Sequence, residues 1–332
     1  MAEAEAEADK FVFFALITSV LVAVYFSDKI RAKLIPDKKK EGFLSFDSLA
    51  TLGKSKNLWF VLDDFDNNTR AWADFGARSS KNANIGFLSL VKTRCMITQG
   101  SDFTIVELSG RIAVAQTVRA NNGLIPNMYN LAPSFLWKAW ARAALLAYAG
   151  GLYFEGTGLC LGPSFAPIVG IADNFAFGAN HDEEHPFSAG PYAGWAVKPG
   201  HVSWVGLAEA LFKLIDAGPL VWTSLKARKT IAKLNNIYLN PHMRTLVGAE
   251  WCRRTNGKPI ENEDLFGRSL SADWTPDNNV VYVPMDFERL QLDRNYNWFL
   301  SMSPEQILDT ESNFIWAQLL QKSGGKDSLV KL

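Results

Sequence analysis

The residues best suited to chemistry in this 332-residue chain lie in acidic turns that close apolar runs. Leu58 to Leu62 (LWFVL) is followed by Asp63-Asp64-Phe65-Asp66, in which Asp64 and Asp66 are carboxylates one residue apart. Such a pair can hold a hard divalent cation through oxygen ligands, and the cation can offset charge building on a diphosphate. A second apolar run, Leu152 to Phe154, ends on Glu155-Gly156-Thr157. His181-Asp182-Glu183-Glu184-His185 formally matches the H-x-x-E-H zinc motif. That motif needs a helix to bring both histidines to one face, and this polar segment between Gly178 and Pro186 reads as a loop. The D-x-D-x-T start of a haloacid-dehalogenase-type phosphatase is missed by one place, because the threonine is Thr69. No G-x-S-x-G nucleophile elbow occurs.

The elements that must position these turns alternate between strand and helix. LWFVL reads as a buried strand, a helix is predicted from about Asn84 to Met96, and Asp102 to Leu108 reads as a second buried strand. An Ala-rich helix then runs into Gly150-Gly151 and the strand that ends at Glu155; the glycines stop the helix without a Cβ clash. Loops are predicted around 178–191. A short strand at Gly194 to Val197 and a helix at His201 to Ile215 follow. Val280 to Val283 reads as a strand, and Ser303-Pro304-Glu305-Gln306 starts a helix with a capping box. This order predicts an α/β domain with a mixed sheet flanked by helices.

Three of these pieces resemble the DXD-motif glycosyltransferases that include mannosyltransferases and capsular-polysaccharide transferases. They are the LWFVL strand, the ARAALLAYAGGLYFEG segment, and AGWAVKPGHVSWVGLAEALFKLI from Ala193 to Ile215. The resemblance covers roughly residues 57–215 and implies a GT-A fold. It also implies a nucleotide-sugar site built from Arg142, Gly150, Gly151, Thr157 and His201, with Glu155 near the diphosphate; the rival acidic turn at the end of LWFVL offers Asp64 or Asp66 as a further carboxylate there. The family's DXD pair falls at Glu155 and Thr157, so Glu155 is the candidate ligand for Mn²⁺ or Mg²⁺. The family's acid three residues before the arginine falls at Ala139. Trp137 and Trp140, at helical spacing in an Ala-rich segment, read as core; Trp251, Trp274 and Trp298 are candidates for an acceptor site.

Composition sets the remaining bounds. The chain is 48% hydrophobic and 20% charged with no net formal charge, which describes a globular protein and argues against nucleic acid as a partner. Cys95, Cys160 and Cys252 form no zinc or disulfide pattern and read as reduced thiols. Phe11 to Phe26 (FVFFALITSVLVAVYF) has no charge and as a helix spans roughly 24 Å, close to a bilayer core. The acidic start and the absence of an A-x-A-like exit favour a permanent span over a cleaved signal peptide. Lys29, Arg31, Lys33 and Lys38 to Lys40 follow the span and only Lys10 precedes it, which predicts a single pass with the C-terminal domain on the cytoplasmic side. The expected organisation is an acidic tail (1–10), a transmembrane helix (11–27), a basic linker (28–42) and the α/β domain (43–332).

Two functions follow from this reading. One is a membrane-anchored transferase-like protein that binds a nucleotide sugar and passes hexose to a glycan or protein acceptor. The other is a catalytically inactive protein of the same fold, a membrane-tethered structural or interaction protein with protein partners, for example in the particle of a large DNA virus. The losses at Ala139 and Thr157 favour the second.

Overall fold

The computed structural model describes residues 56–64, 85–161, 164–169, 173–179, 189–222, 224–239, 244–246, 260–268, 282–283, 285–309 and 314–322. They belong to the compact unit Leu52–Leu332, and residues 1–51 lie outside the described residues. The expected span at Phe11–Phe26 therefore lies outside the described residues, as do Asp66, the histidines of the H-x-x-E-H segment, Cys252, Trp251 and Trp274. Among the described residues no helix is long and apolar enough to cross a membrane.

The elements run in the order β1 (Asn57–Leu62), α1 (Gly86–Gln99), β2 (Thr104–Ser109), α2 (Arg111–Ala120), α3 (Ser134–Tyr148), β3 (Gly151–Glu155), β4 (Leu159–Cys160), α4 (Ala166–Val169), β5 (Asn174–Ala179) and β6 (Ala189–Ala196). They continue with α5 (Val202–Asp216), α6 (Ser224–Tyr238), β7 (Arg244–Leu246), α7 (Asn262–Phe266), β8 (Tyr282–Val283), α8 (Phe287–Leu292), α9 (Pro304–Leu308) and α10 (Ile315–Lys322). Strands pair in the order β2-β1-β3-β6-β5-β7, with β6 antiparallel to both its neighbours and the other pairings parallel; β4 and β8 form a separate antiparallel pair. The sheet is therefore mixed and flanked by helices, as the alternation of elements predicts.

Side-chain alternation along the central strands divides the interior into two cores. Leu58 and Phe60 of β1 and Leu152 and Phe154 of β3 face α1 and the C-terminal helices, where Phe87, Phe299 and Trp316 pack. Trp59, Val61 and Tyr153 face the opposite way, against α2, α3 and α5, where Trp137, Trp140 and Trp204 are fully buried. Trp137 and Trp140 are core residues, as their helical spacing predicts.

Two expectations need correction. The segment around Thr104–Ser109 is a strand, but its side chains are largely exposed or half-buried, because β2 is the edge of the sheet with β1 on one side only. The stretch expected to be loop contains the beginning of β6, which starts at Ala189 and contributes an antiparallel strand between β3 and β5. Its Gly190, Pro191 and Gly194 mask the strand pattern in the sequence.

The turn between α3 and β3 has the form its glycines require. Gly150 and Gly151 take φ of +67° and +96°, and the Gly150 N–H donates to the Leu145 carbonyl to close the helix. The Gly150 carbonyl accepts a 2.6 Å hydrogen bond from Trp59 Nε1, which ties this turn to β1. A Cβ on Gly150 would also crowd the Lys198–Pro199 backbone at 3.0–3.1 Å. Gly150→Ala is expected to destabilise the domain by about 1–3 kcal/mol through the left-handed backbone. A urea unfolding curve with a lower midpoint and unchanged slope is the expected result.

Candidate functional site

Because β1 and β3 are adjacent and parallel, their C-terminal ends deliver the two acidic turns to one edge of the sheet. Val61 pairs with Glu155, and the Gly156 N–H donates to the Val61 carbonyl at 2.7 Å. This is the edge of an α/β sheet where ligands gather. Of the sequence candidates described, Asp64, Glu155 and Thr157 stand at this edge.

Each acidic turn is closed by a cation from the chain itself. Asp63, at the end of β1, takes a bidentate pair from Arg111: Nε to Oδ1 at 2.8 Å and Nη2 to Oδ2 at 2.9 Å. The Ser134 hydroxyl donates to the same carboxylate. Arg111 Nη1 donates to the carbonyls of Tyr129, Asn130 and Ala132, and the guanidinium lies 5.3 Å from the Trp137 ring centroid. Planar bidentate pairing of this kind fixes orientation as well as charge. Asp64 accepts the Arg111 backbone N–H at 3.1 Å, capping the start of α2, and Gly110 (φ +90°) leaves room for that carboxylate.

At the β3 turn the partner is Lys138 of α3. Lys138 Nζ donates to Glu155 Oε1 at 2.7 Å, and Thr157 Oγ1 donates to the same oxygen at 3.1 Å. Glu155 is 3% exposed, Lys138 4% and Thr157 0%, so this group is sealed from solvent. Tyr282 closes the turn from above: its hydroxyl donates to the Glu155 carbonyl at 3.0 Å, and its ring stacks on Phe154 at 4.9 Å. Gly158 is needed there, since a Cβ would run into the Tyr282 ring.

The remaining candidates do not gather there: Gly150 and Gly151 lie at the opposite end of β3, beside the Lys198–Pro199 turn that leads to His201. Arg142, one turn after Lys138, is fully buried, and its Nη2 donates to Asn235 Oδ1 at 3.1 Å. Its guanidinium is 5.3 Å from the Trp204 ring centroid. Burial lowers its pKa to about 10, with Tyr153 and Glu155 acting in the opposite direction, so it remains cationic at neutral pH. His201 caps α5, accepting the Ser203 N–H at 3.3 Å through Nδ1. Trp298 is 42% exposed, and its Nε1 donates to the Asn295 carbonyl.

Several charged residues at the edge are absent from the motif-based candidates. Arg228 of α6 pairs with Asp286 at 3.2 Å and Glu288 at 2.8 Å, and covers the Phe135 ring at 4.7 Å. Burial raises the Glu288 carboxyl above its ordinary value; Arg228 and Lys138 pull it back, and Asp286 pushes it further up. Lys138 carries one readable signal. Lys138 and Arg142 stand four apart on a helix that is otherwise apolar but for its ends, Ser134 and Tyr148, so both must find partners inside the fold.

Chemically, Glu155 is a carboxylate whose charge is already met. A divalent cation at Glu155 would compete with the Lys138 ammonium, and Thr157 offers it a neutral hydroxyl in place of a second carboxylate. Among the described residues no group of three or more His, Cys, Asp or Glu is placed to hold a metal ion. A scan against protein-family models finds no match to this chain, and neither the curated proteins nor the solved structures give one.

The buried pair makes a sharp energetic prediction. Lys138→Met leaves Glu155 sealed and uncompensated, and is expected to cost about 3–5 kcal/mol. The double variant Lys138→Met/Glu155→Leu is expected to recover most of that loss, because an apolar pair replaces the ionic one. A double-mutant cycle by chemical unfolding measures the coupling. A single-variant loss below about 1 kcal/mol would mean that the pair behaves as a surface salt bridge.

Proposed function

We propose that this chain is a membrane-tethered structural or interaction protein built on a glycosyltransferase-like, GT-A-type scaffold whose diphosphate end has been converted into a structural charge network. The observation that carries this reading is the Lys138–Glu155–Thr157 group under Tyr282. The acid that resembles the retained half of a DXD motif is held by an internal ammonium, and the turn is covered. Asp63 and Asp64 support the same conclusion, since one is matched by Arg111 and the other caps α2.

The tether is Phe11 to Phe26, and the basic residues after it favour a cytoplasmic-side domain. The partners in this reading are the bilayer and another protein.

Retained nucleotide-sugar binding is the second reading. It is favoured by Arg228, a part-exposed guanidinium on the same charged cluster as Lys138 and Glu288. Thermal-shift titration with UDP- and GDP-hexoses, with and without Mn²⁺, separates the two. A functioning site filled to about 100 times its Kd would stabilise the fold by roughly 2.7 kcal/mol. The proposal predicts no shift with any donor. A donor-dependent rise in Tm that Glu155→Ala abolishes would overturn it in favour of the binding reading.

Topology has its own test. A tag placed after Leu332 should be digested by protease in sealed vesicles whose cytoplasmic face is outward. A protected tag would reverse the orientation.

A further inference from the structure

A cavity of about 140 Å³ lies between α3, α5 and the segment that follows α2, and none of its walls comes from the acidic turns. Its aromatic walls are Trp140 and Tyr148 of α3 and Phe212 of α5. Leu124 and Ala208 add apolar surface, and Glu209 and Lys213 come from successive turns of α5. Trp140 is fully buried and forms the floor, and its indole N–H has no acceptor among the described residues.

Glu209 is the informative residue. Among the described residues it forms no ion pair, and Lys213 is exposed rather than paired with it. Its charge is felt on both sides: after burial, the Glu209 carboxylate is the next cause that raises the phenols of Tyr148 and Tyr238. Tyr238 packs directly over Gly206, one turn before Glu209, where a Cβ would stand 2.7 Å from its ring. A half-buried carboxylate is thus set among aromatic rings.

Aromatic faces and a carboxylate attract the same kind of ligand. The ring faces carry negative potential, which draws an organic cation, and the carboxylate supplies the opposite charge. An unalkylated ammonium would bring three N–H donors that need acceptors, whereas methyl groups need only contact with apolar walls. The volume is close to the ~150 Å³ of a dry cavity that accepts benzene, which is the scale of a tetrahedral methylated ammonium. We propose that this cavity binds a small methylated ammonium compound, with Tyr148 and Phe212 against the methyl groups and Glu209 as the counter-charge. This site is independent of the function proposed above.

The test compares choline with its neutral isostere 3,3-dimethylbutan-1-ol on the full chain in a maltoside detergent at matched ionic strength. Saturation-transfer NMR titrations report both ligands. The expected result is saturable choline binding that is roughly tenfold tighter than binding of the neutral alcohol. Glu209→Gln, on a part-exposed side chain, should weaken choline by a similar factor and leave the alcohol unchanged. Phe212→Leu should weaken choline while leaving the unfolding midpoint close to that of the wild type. Equal binding of the two ligands would reduce the site to an unspecific apolar cavity and overturn the proposal. So would no binding of either ligand, or choline binding that neither variant alters.

Discussion

The architecture around the sheet edge depends on one constraint: a carboxylate removed from water must be met by a cation and by hydrogen bonds. Glu155 is removed from water because β3 runs through the middle of the sheet and Tyr282 covers its end. Lys138 therefore cannot be a surface lysine. It is drawn under α3 to reach Glu155, and Thr157 satisfies the same oxygen. Such a pair adds little net stability over an apolar replacement, since desolvation consumes much of its Coulombic gain. It does fix geometry, because any other placement of α3 over β3 would strand a charge.

The Arg111–Asp63 pair repeats this logic on the neighbouring strand. Arg111 is the first residue of α2, and its guanidinium reaches back to Asp63 while three carbonyls of the loop before α3 accept from it. One side chain thus joins the end of β1, the start of α2 and the entry to α3. Two acidic strand ends are thus fastened to the helices that cover them. The Thr157 hydroxyl and the Lys138 ammonium therefore act together, both on Glu155 Oε1. A lone acid without a metal needs an internal counter-charge.

Features governed by local chemistry were legible in the sequence. LWFVL is a continuous apolar run and is a central strand; Gly150-Gly151 is a helix stop and takes positive φ; Ser303 and Gln306 form the expected capping box. The fully buried Trp137 and Trp140 follow from helical spacing. What was not legible depends on distant partners. Lys138 meets Glu155 across the turn, Arg111 meets Asp63 from well down the chain, and Arg228 meets Asp286 and Glu288 across most of the C-terminal part. No spacing rule encodes those pairings. The exposure of β2 is hidden from the sequence for a similar reason: its β-branched residues suit a strand anywhere, and only topology puts it at an edge.

The central claim is that the ammonium of Lys138 permanently fills the counter-charge position at Glu155. Lysine Nζ-detected ¹⁵N NMR addresses it directly, since a buried, hydrogen-bonded ammonium exchanges slowly with water while surface ammonium protons exchange quickly. The account predicts one protected ammonium resonance at neutral pH. It should be absent from Lys138→Met/Glu155→Leu and unaffected by Mn²⁺ with or without a UDP-hexose. Paramagnetic broadening of that resonance by Mn²⁺, or its loss when the nucleotide sugar is added, would show that an external cation or ligand enters the turn and would contradict the account.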